Sequence, residues 1–422
     1  MQILVVGSGG REHALCLAFS RSGRVSKIYC ADGNAGIGSV AHLVAIKPND
    51  IGRLADFVQE NGIDMTFVGG ETSLALGIVD EFENRGLKIV GPNAAAARLE
   101  GSKSFAKDFM ARHGIPTAAF SVVRSIDEAI NILESGKFGP PESPVVVKAD
   151  GLAAGKGVVV AANRSGAITA IRDMEARVGT HAAEAIVLEE CLFGREVSLL
   201  MFADGENYAL MPPTRDHKRI GEGDTGPNTG GMGTITDAAL LSPDQTEEII
   251  NRIIQPTLDG CRDEGFPFRG VLFLGLMMTD SGPKLLEYNV RFGDPETQSI
   301  LVRLETDIAD ICDAIIAGTL DELTITWRKG NSATVVLASQ GYPEKPRSGD
   351  VIHGADAVTN ENVTVFHAGT ARNSDGDLIT AGGRVLGVTA IGDTLDAALT
   401  TAYDAVAEIS WDDMQYRRDI GK

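Results

Sequence analysis

Val271-Leu-Phe-Leu-Gly-Leu-Met-Met-Thr-Asp-Ser-Gly-Pro-Lys-Leu-Leu-Glu-Tyr-Asn-Val-Arg-Phe-Gly-Asp-Pro-Glu-Thr-Gln298 carries the reading of the chain. Val271–Thr279 is apolar and Asp280-Ser-Gly-Pro283 is a turn cluster, so 271–290 reads as a β-hairpin. Side chains alternate along a strand. That puts Glu287, Asn289 and Arg291 on one face and Leu286, Tyr288 and Val290 on the other. A carboxylate and an amide oxygen two residues apart suit a hard cation such as Mg²⁺. The Arg next in the row can hold phosphate or carboxylate oxygens. Such a row is equally an ordinary polar face with a surface ion pair. The continuation Phe292–Gln298 favours a site, because a buried strand ending in a polar Gly-Pro turn is a usual place for one.

Upstream lies a second hairpin, Val145-Val-Val-Lys-Ala-Asp-Gly-Leu-Ala-Ala-Gly-Lys-Gly-Val-Val-Val160. Two apolar strands are joined by small residues that let backbone N–H groups approach phosphates, and Lys148 and Lys156 bracket them. The loop joins strand to strand and lacks G-x-x-x-x-G-K-[ST], so it is no Walker A loop. A mobile hairpin tip is the plainer alternative. Ala185–Leu192 reads as a strand with two acids near its end, and Gly194–Leu200 begins another. Glu189 and Glu196 there fit structural roles as readily as functional ones. Arg215–Gly233 is long, polar and poor in apolar anchors, which marks a functional or disordered loop. Its His217 is a candidate acid/base, with a structural or phosphate-contacting role favoured.

Residues 1–100 alternate strand and helix: strands 2–6, 27–31, 64–68 and 87–90; helices 11–22, 50–60 and 74–85. That order predicts a parallel sheet with helices on both faces. Gly7-Ser-Gly-Gly-Arg-Glu12 resembles a dinucleotide fingerprint, but its third glycine falls on Glu12, and Asp32 stands where a ribose-binding acid would. A substrate phosphate held by the turn and Arg11 is the preferred reading. Val68–Leu74 lies at the same sheet edge. Helices are expected near 243–263 and 296–317. After Trp327–Gly330 comes a β-rich unit with strands 333–339, 363–367 and 384–391 and a helix 394–409. This unit shows no evident site and reads as a cover.

The chain has 422 residues, 43% of them hydrophobic, enough for two to four domains. A net charge of −20 argues against nucleic acid and anionic membranes as partners. Five scattered cysteines without C-x-x-C indicate neither disulfides nor zinc. No apolar run nears the roughly 18 residues of a membrane span. The strand at Gln2–Val6 leaves no room for a signal peptide, so a soluble cytoplasmic protein is expected.

Lys148–Gly157, Asp216-His-Lys218, Thr225–Gly233 and Glu287–Gln298 together resemble the phosphoribosylamine–glycine ligase (glycinamide ribonucleotide synthetase) family of the ATP-grasp superfamily. The resemblance runs from Gly7–His13 to Trp411-Asp-Asp413. It departs at Gly70 and Ser73, where the family has prolines, and at Val271–Met278, which lacks a metal-binding acid.

The resemblance implies an α/β chain in three parts: a Rossmann-like domain at 1–102, an ATP-grasp domain at 103–328 with a mobile lid about 118–195, and a mostly β domain at 329–422. It implies ATP as co-substrate with Mg²⁺ or Mn²⁺, glycine and 5-phosphoribosylamine as substrates, and glycinamide ribonucleotide, ADP and phosphate as products. A glycyl phosphate would form on the way, in de novo purine synthesis. Lys107, Lys148, Gly155, Lys156, Gly157, Glu189, Glu190, Leu192 and Glu196 would bind ATP, and Glu287 and Asn289 the metal. Arg291, Lys218 and Asp216 would be catalytic. Gly9, Gly10, Arg11, Glu12, Glu71, Asp216, Asn228, Gly230, Arg291, Gly293, Asp294 and Pro295 would bind substrate. Small molecules are the expected partners, with a monomer the simplest state. The rivals are another ATP-grasp carboxylate–amine ligase, an NAD-dependent enzyme and a non-catalytic nucleotide-binding regulator.

Overall fold

Strand β1 (Gln2–Gly7) lies at the centre of a sheet with β2 (Lys27–Asp32), β3 (His42–Leu43), β4 (Met65–Val68) and β5 (Ile89–Val90), in the order β3-β2-β1-β4-β5. All four pairings are parallel. Residues of β1 alternate between two cores, as a strand buried on both faces requires. Leu4 and Val6 pack with Leu54, Val58, Ile78 and Phe82; Ile3 and Val5 pack with Leu15 and Phe19. The helices supplying those residues are α1 (Gly10–Ser20), α2 (Ile51–Asn61) and α4 (Ile78–Asn84), the last preceded by the short α3 (Glu71–Ala75). The single helix expected at 74–85 is two, because Gly77 adopts φ +84, a left-handed turn that ends one and starts the next. Helices α5 (Ala94–Gly101) and α6 (Lys103–Arg112) follow, each capped by a side chain, Asn93 and Ser102.

The computed structural model describes residues 1–151, 157–179 and 185–422. The loop 150–157, read as a hairpin tip whose backbone approaches phosphates, falls largely outside the described residues, and Gly155 and Lys156 lie wholly outside them. Around it, β6 (Phe120–Val123), α7 (Ile126–Glu134), β7 (Val145–Ala149), β8 (Val158–Ala161), α8 (Arg164–Val178) and β9 (Ile186–Glu190) make an antiparallel sheet in the order β6-β9-β7-β8, with two helices. It has a core of its own, centred on Val123, Leu133, Val147, Met174 and Leu188. The described base of the loop is fixed by Asp150, which accepts the N–H of Ser104 at 2.6 Å and so ties β7 to the start of α6.

The second large sheet runs from the stretch that opened the reading to the C-terminal unit. Its strands are β10 (Arg195–Asp204), β11 (Tyr208–Leu210), β12 (Thr214–Asp216), β15 (Gly233–Thr236), β16 (Arg269–Thr279), β17 (Gly282–Asn289), β18 (Asn331–Ala338), β19 (Val363–His367) and β22 (Arg384–Gly392). The order is β17-β16-β10-β12-β15-β18-β22-β19, with β11 on β10, so the C-terminal strands extend the sheet of the central part. Between β12 and β15 the expected loop 215–233 instead holds a small hairpin, β13 (Arg219–Gly221) and β14 (Thr225–Asn228). Its anchors are polar and distant in sequence. Arg417, buried to 2% exposure, pairs with Asp224 at 2.7 Å, and Asp419 accepts the N–H of Gly223 at 2.7 Å. A second small hairpin, β20 (Thr370–Arg372) and β21 (Leu378–Thr380), and a helix α13 (Leu395–Val406) complete the C-terminal unit. Thr394 is the cap of α13, through the N–H of Ala397.

Two other expected helices are interrupted. The 243–263 stretch is α9 (Pro243–Ile249), a π turn Ile250–Ile254 and α10 (Gln255–Asp263). The 296–317 stretch is α11 (Glu296–Leu301) and α12 (Ile308–Ala317), because the Asp307 side chain caps the N–H of Ala309 and restarts the helix. No helix of the described residues is long and apolar enough to cross a membrane.

Candidate active site

The β16–β17 hairpin forms as read, with Phe273 opposite Asn289 and Gly275 opposite Glu287. The register then slips, so Leu276 faces Leu285 and Leu286 is an extra residue on β17. The expected face of Leu286 is corrected by this bulge. Leu285 is the core residue beside Tyr288 and Val290, while Leu286 is half-buried and its carbonyl accepts from Lys148 Nζ at 3.4 Å. From the bulge onward Glu287, Asn289 and Arg291 do share one face.

The side chain of Glu287 makes no hydrogen bond or ion pair with any described residue. Burial opposes its ionisation, yet Lys218, Lys148, Lys103 and Arg291 together hold its carboxyl below the usual range. Each cation comes from a different segment. Lys148 is on β7; Lys103 opens α6, its Nζ reaching Gly151 O at 3.2 Å; Lys218 follows β12 and pairs with Glu196 at 2.9 Å. Beside them Glu189 bridges two nearly buried lysines, Lys107 at 3.2 Å and Lys148 at 2.9 Å. Burial, reinforced by the charge of Lys148, pushes Lys107 down to about 8. Glu190 accepts the N–H of Ala119 at 2.9 Å and pairs with Lys284 at 3.2 Å. Leu192 sits half-buried in the link between β9 and β10, and Gly157 O accepts the N–H of Ala149 at 2.8 Å.

Arg291 turns toward the N-terminal sheet. Its guanidinium meets Glu71 at 3.1 Å, Glu100 at 2.7 Å and Asn289 Oδ1 at 3.2 Å. Glu71 is in turn a wall of a cavity of about 240 Å³ shared with Gly9, Arg11, Glu12, Gly70 and Asp294. Burial raises the carboxyl of Glu71, but Arg291 and Arg11 outweigh it and hold it low. Arg11 is fixed by Glu12 at 2.7 Å and by Phe292 O at 3.1 Å.

Glu12 explains the defective fingerprint. Its carboxylate takes the N–H of Gly9 at 2.6 Å, occupying the helix terminus where a dinucleotide's pyrophosphate would need room. A Cβ on Gly69 would lie 2.0 Å from Glu12 Oε1, so that glycine is required. Asp32 is paired with Lys47. The helix terminus filled by Glu12 does not fit NAD.

Gly230, Gly293, Asp294 and Pro295 are gathered by a residue that the sequence reading missed. Arg384, at the start of β22, donates to the carbonyls of Gly230 and Asp294 and pairs with Asp294 Oδ2 at 3.3 Å. Tyr342 Oη accepts the N–H of Gly230 at 3.0 Å. The C-terminal unit therefore reaches the candidate site and is more than a cover. Asp294 also accepts from Gln298, whose amide lies where a Cβ on Gly10 would be, 2.5 Å away. Pro295 O accepts from Thr234 Oγ1 at 3.2 Å, and Gly293 O accepts the N–H of Thr297 at 3.3 Å. Asn228 stands at the end of β14 opposite Arg219 and hydrogen-bonds none of the other candidate side chains among the described residues.

Asp216 and Glu296 form a second acidic pair. Burial pushes both carboxyls up, Asp216 further because of Glu296, and Asp216 Oδ1 has no hydrogen-bond partner among the described residues. Lys218 is pushed down by burial, but Glu196, Glu287 and Asp216 more than reverse this.

His217 is structural. Nδ1 faces Gly233 O at 3.1 Å and Nε2 accepts the N–H of Gly421 at 3.0 Å, which uses both nitrogens of a neutral ring. Burial lowers it from 6.5 to about 4. The unfolded chain therefore binds a proton below about pH 6.5 that the folded chain refuses, so stability falls on acidification. By pH 5 the loss through His217 should reach about 2 kcal/mol. Urea unfolding at pH 7.5 and 5 should show His217→Gln with a pH dependence smaller by that amount, and an unchanged dependence would contradict the assignment.

Similarity to known proteins agrees with this geometry. Residues 1–100 match the family description "Phosphoribosylglycinamide synthetase, N domain", residues 101–297 its "ATP-grasp (A) domain", and residues 332–422 its "C domain". The chain is 47% identical over 426 aligned positions to the phosphoribosylamine–glycine ligase of Xanthomonas campestris pv. campestris, covering all of this chain and 97% of that one. It is 46% identical to the enzyme of the same name from Escherichia coli O157:H7, covering all of this chain and 98% of that one. The crystal structure of phosphoribosylamine–glycine ligase from Thermotoga maritima superposes with a TM-score of 0.85 at 34% identity, over 100% of both chains. A four-stranded unit facing the β16–β17 hairpin, with lysines and acids between them, defines an ATP-grasp ligase. Within that class, the chain belongs to the phosphoribosylglycinamide synthetase family.

Proposed function

We propose that the chain joins glycine to 5-phosphoribosylamine with ATP, giving glycinamide ribonucleotide, ADP and phosphate, a step of purine biosynthesis. The observation that carries this reading is Glu287, a carboxylate without a partner among the described residues and within the field of four cations from four segments. A buried carboxylate that pairs with no described side chain, beside cations on separate segments, is suited to a divalent cation that accompanies a polyanion. The donors fit Mg²⁺ or Mn²⁺, being the hard oxygens of Glu287 and Asn289. No cluster of three or more His, Cys, Asp or Glu that could hold a metal occurs among the described residues, so ATP phosphates would complete the shell. When bound, that ion neutralises charge on the transferring phosphoryl group.

Glycine's carboxylate is a poor acylating agent. It attacks the γ-phosphorus of ATP and releases ADP, and the amine of phosphoribosylamine then displaces phosphate from glycyl phosphate. Lys107 and Lys148, paired across Glu189, are set to exchange that carboxylate for ATP phosphates. Lys103 and Lys218 offer charge on the other side, and Arg291 meets the transferring group or the glycine carboxylate. Glu189, Glu190 and Leu192 border the adenine and ribose. In the cavity of the N-terminal sheet Arg11 takes the substrate phosphate, while Glu71 and Asp294 suit ribose hydroxyls and the amine. Asp216, raised by burial and Glu296, is suited to exchange a proton with an amine. The enzyme on this reading is cytoplasmic and acts on small molecules.

The test is phosphate release with ATP, glycine and freshly generated phosphoribosylamine, each omitted in turn. Release should need all three. Turnover with another acid and amine in their place, and none with these, would assign a different carboxylate–amine ligase.

A further inference from the structure

Arg291 is held by two carboxylates of unlike character. Glu71 lines the cavity, its side chain is 30% exposed, and it makes one contact with Arg291, at 3.1 Å. Glu100 lies behind, its side chain 8% exposed, and does not line the cavity. Both its oxygens are engaged at the end of β17: Oε1 accepts from Arg291 at 2.7 Å, and Oε2 accepts the N–H of Val290 at 2.8 Å. Glu100 stands in the last turn of α5, the end of a helix where the macrodipole disfavours an acid. Burial, the leading influence on it, also disfavours its charge. An acid costly in both respects, with each oxygen committed to one neighbouring pair of residues, has its use at that pair.

We propose that Glu100 is a positioning residue for Arg291, fixing the guanidinium and the backbone beneath it while Glu71 exchanges its contact for substrate. The inference rests on the reading of Arg291 as the group that meets the transferring phosphoryl or the glycine carboxylate. Without Glu100 the guanidinium keeps only Glu71, Asn289 and the Phe292 carbonyl, and it loses its fixed orientation at the end of β17. The chemical step then suffers, whereas ATP and phosphoribosylamine, which do not touch Glu100, bind as before.

Glu100→Gln preserves shape but presents at best one acceptor where two are needed. It should lower kcat about tenfold, below the loss for removing a group that itself touches the transition state. KM for ATP and for phosphoribosylamine should stay within about twofold, since only the transition state feels the displacement. Should Glu100→Gln not fold, Glu100→Asp carries the same test: the charge is kept, but the side chain is one methylene too short to hold both partners. Normal kcat in the folded variant, or a raised KM with normal kcat, overturns the positioning role. Arg291→Lys separates the two readings. If it is impaired while Glu100→Gln is normal, only the present inference fails; if it turns over normally, the role of Arg291 fails and this inference with it.

Discussion

Glu287→Gln should lower kcat by about 10²–10³, the usual cost of removing one preorganised electrostatic group. The replacement is nearly isosteric and removes one negative charge from a site with Lys103, Lys148, Lys218 and Arg291 around it. The fold should survive, because the Glu287 side chain gives up no hydrogen bond to a described residue, although some stability is lost with the charge that the surrounding cations favour. The loss should be partly recovered at raised Mg²⁺. Tyr288 supplies the control. It faces the opposite side, 2% exposed, with its hydroxyl 2.7 Å from Thr257 Oγ1. Tyr288→Phe should cost about 1 kcal/mol of stability and leave turnover intact. A folded Glu287→Gln protein with normal turnover at low Mg²⁺, less impaired than Tyr288→Phe, would refute the arrangement.

Arg11→Ala should raise KM for phosphoribosylamine by about 10²-fold, as loss of a charge-assisted contact to phosphate implies, with KM for ATP nearly unchanged. Arg11 is the cation in a cavity that also holds Glu12, Glu71 and Asp294, so its removal leaves acids facing the substrate phosphate. Glu12 would also lose its 2.7 Å partner, and a melting temperature should therefore accompany the kinetics. If KM for ATP moves instead, the cavity belongs to the nucleotide.

Much of this was legible in the sequence where the signal is local. Strand and helix alternation gave the N-terminal parallel sheet. The two hairpins at 145–160 and 271–290 were visible as apolar runs around turn residues. The E-x-N-x-R row was found, but not the bulge at Leu286, whose mark is the apolar pair Leu285-Leu286 interrupting the alternation. Gly77 was overlooked as a helix break although a glycine inside a helical pattern can be one: it adopts the left-handed turn that ends one helix and starts the next.

Contacts across long separations were not legible at all. Arg384 lies 154 residues from Gly230 and 90 from Asp294, and in the sequence it is only the first residue of a strand. The polar stretch 215–233 appeared to lack anchors, since Arg417 and Asp419, which hold it, are charged residues far downstream. Glu100 gave no signal either; a glutamate near the end of a helix is ordinary until its partners are known.

The sheet that runs unbroken from β17 to β19 bears on how such chains can be recombined. Fusion and shuffling work most easily where one unit is tethered to the next. Here the seam is a ladder, Gly233 to Thr236 against Val335 to Ser332, with Arg384 crossing it. Exchanging residues 331–422 between relatives would require matched registry along that ladder, and not merely a compatible junction at 329. A swap that carries β15 along with the last unit should therefore fold more readily than one cut at 329.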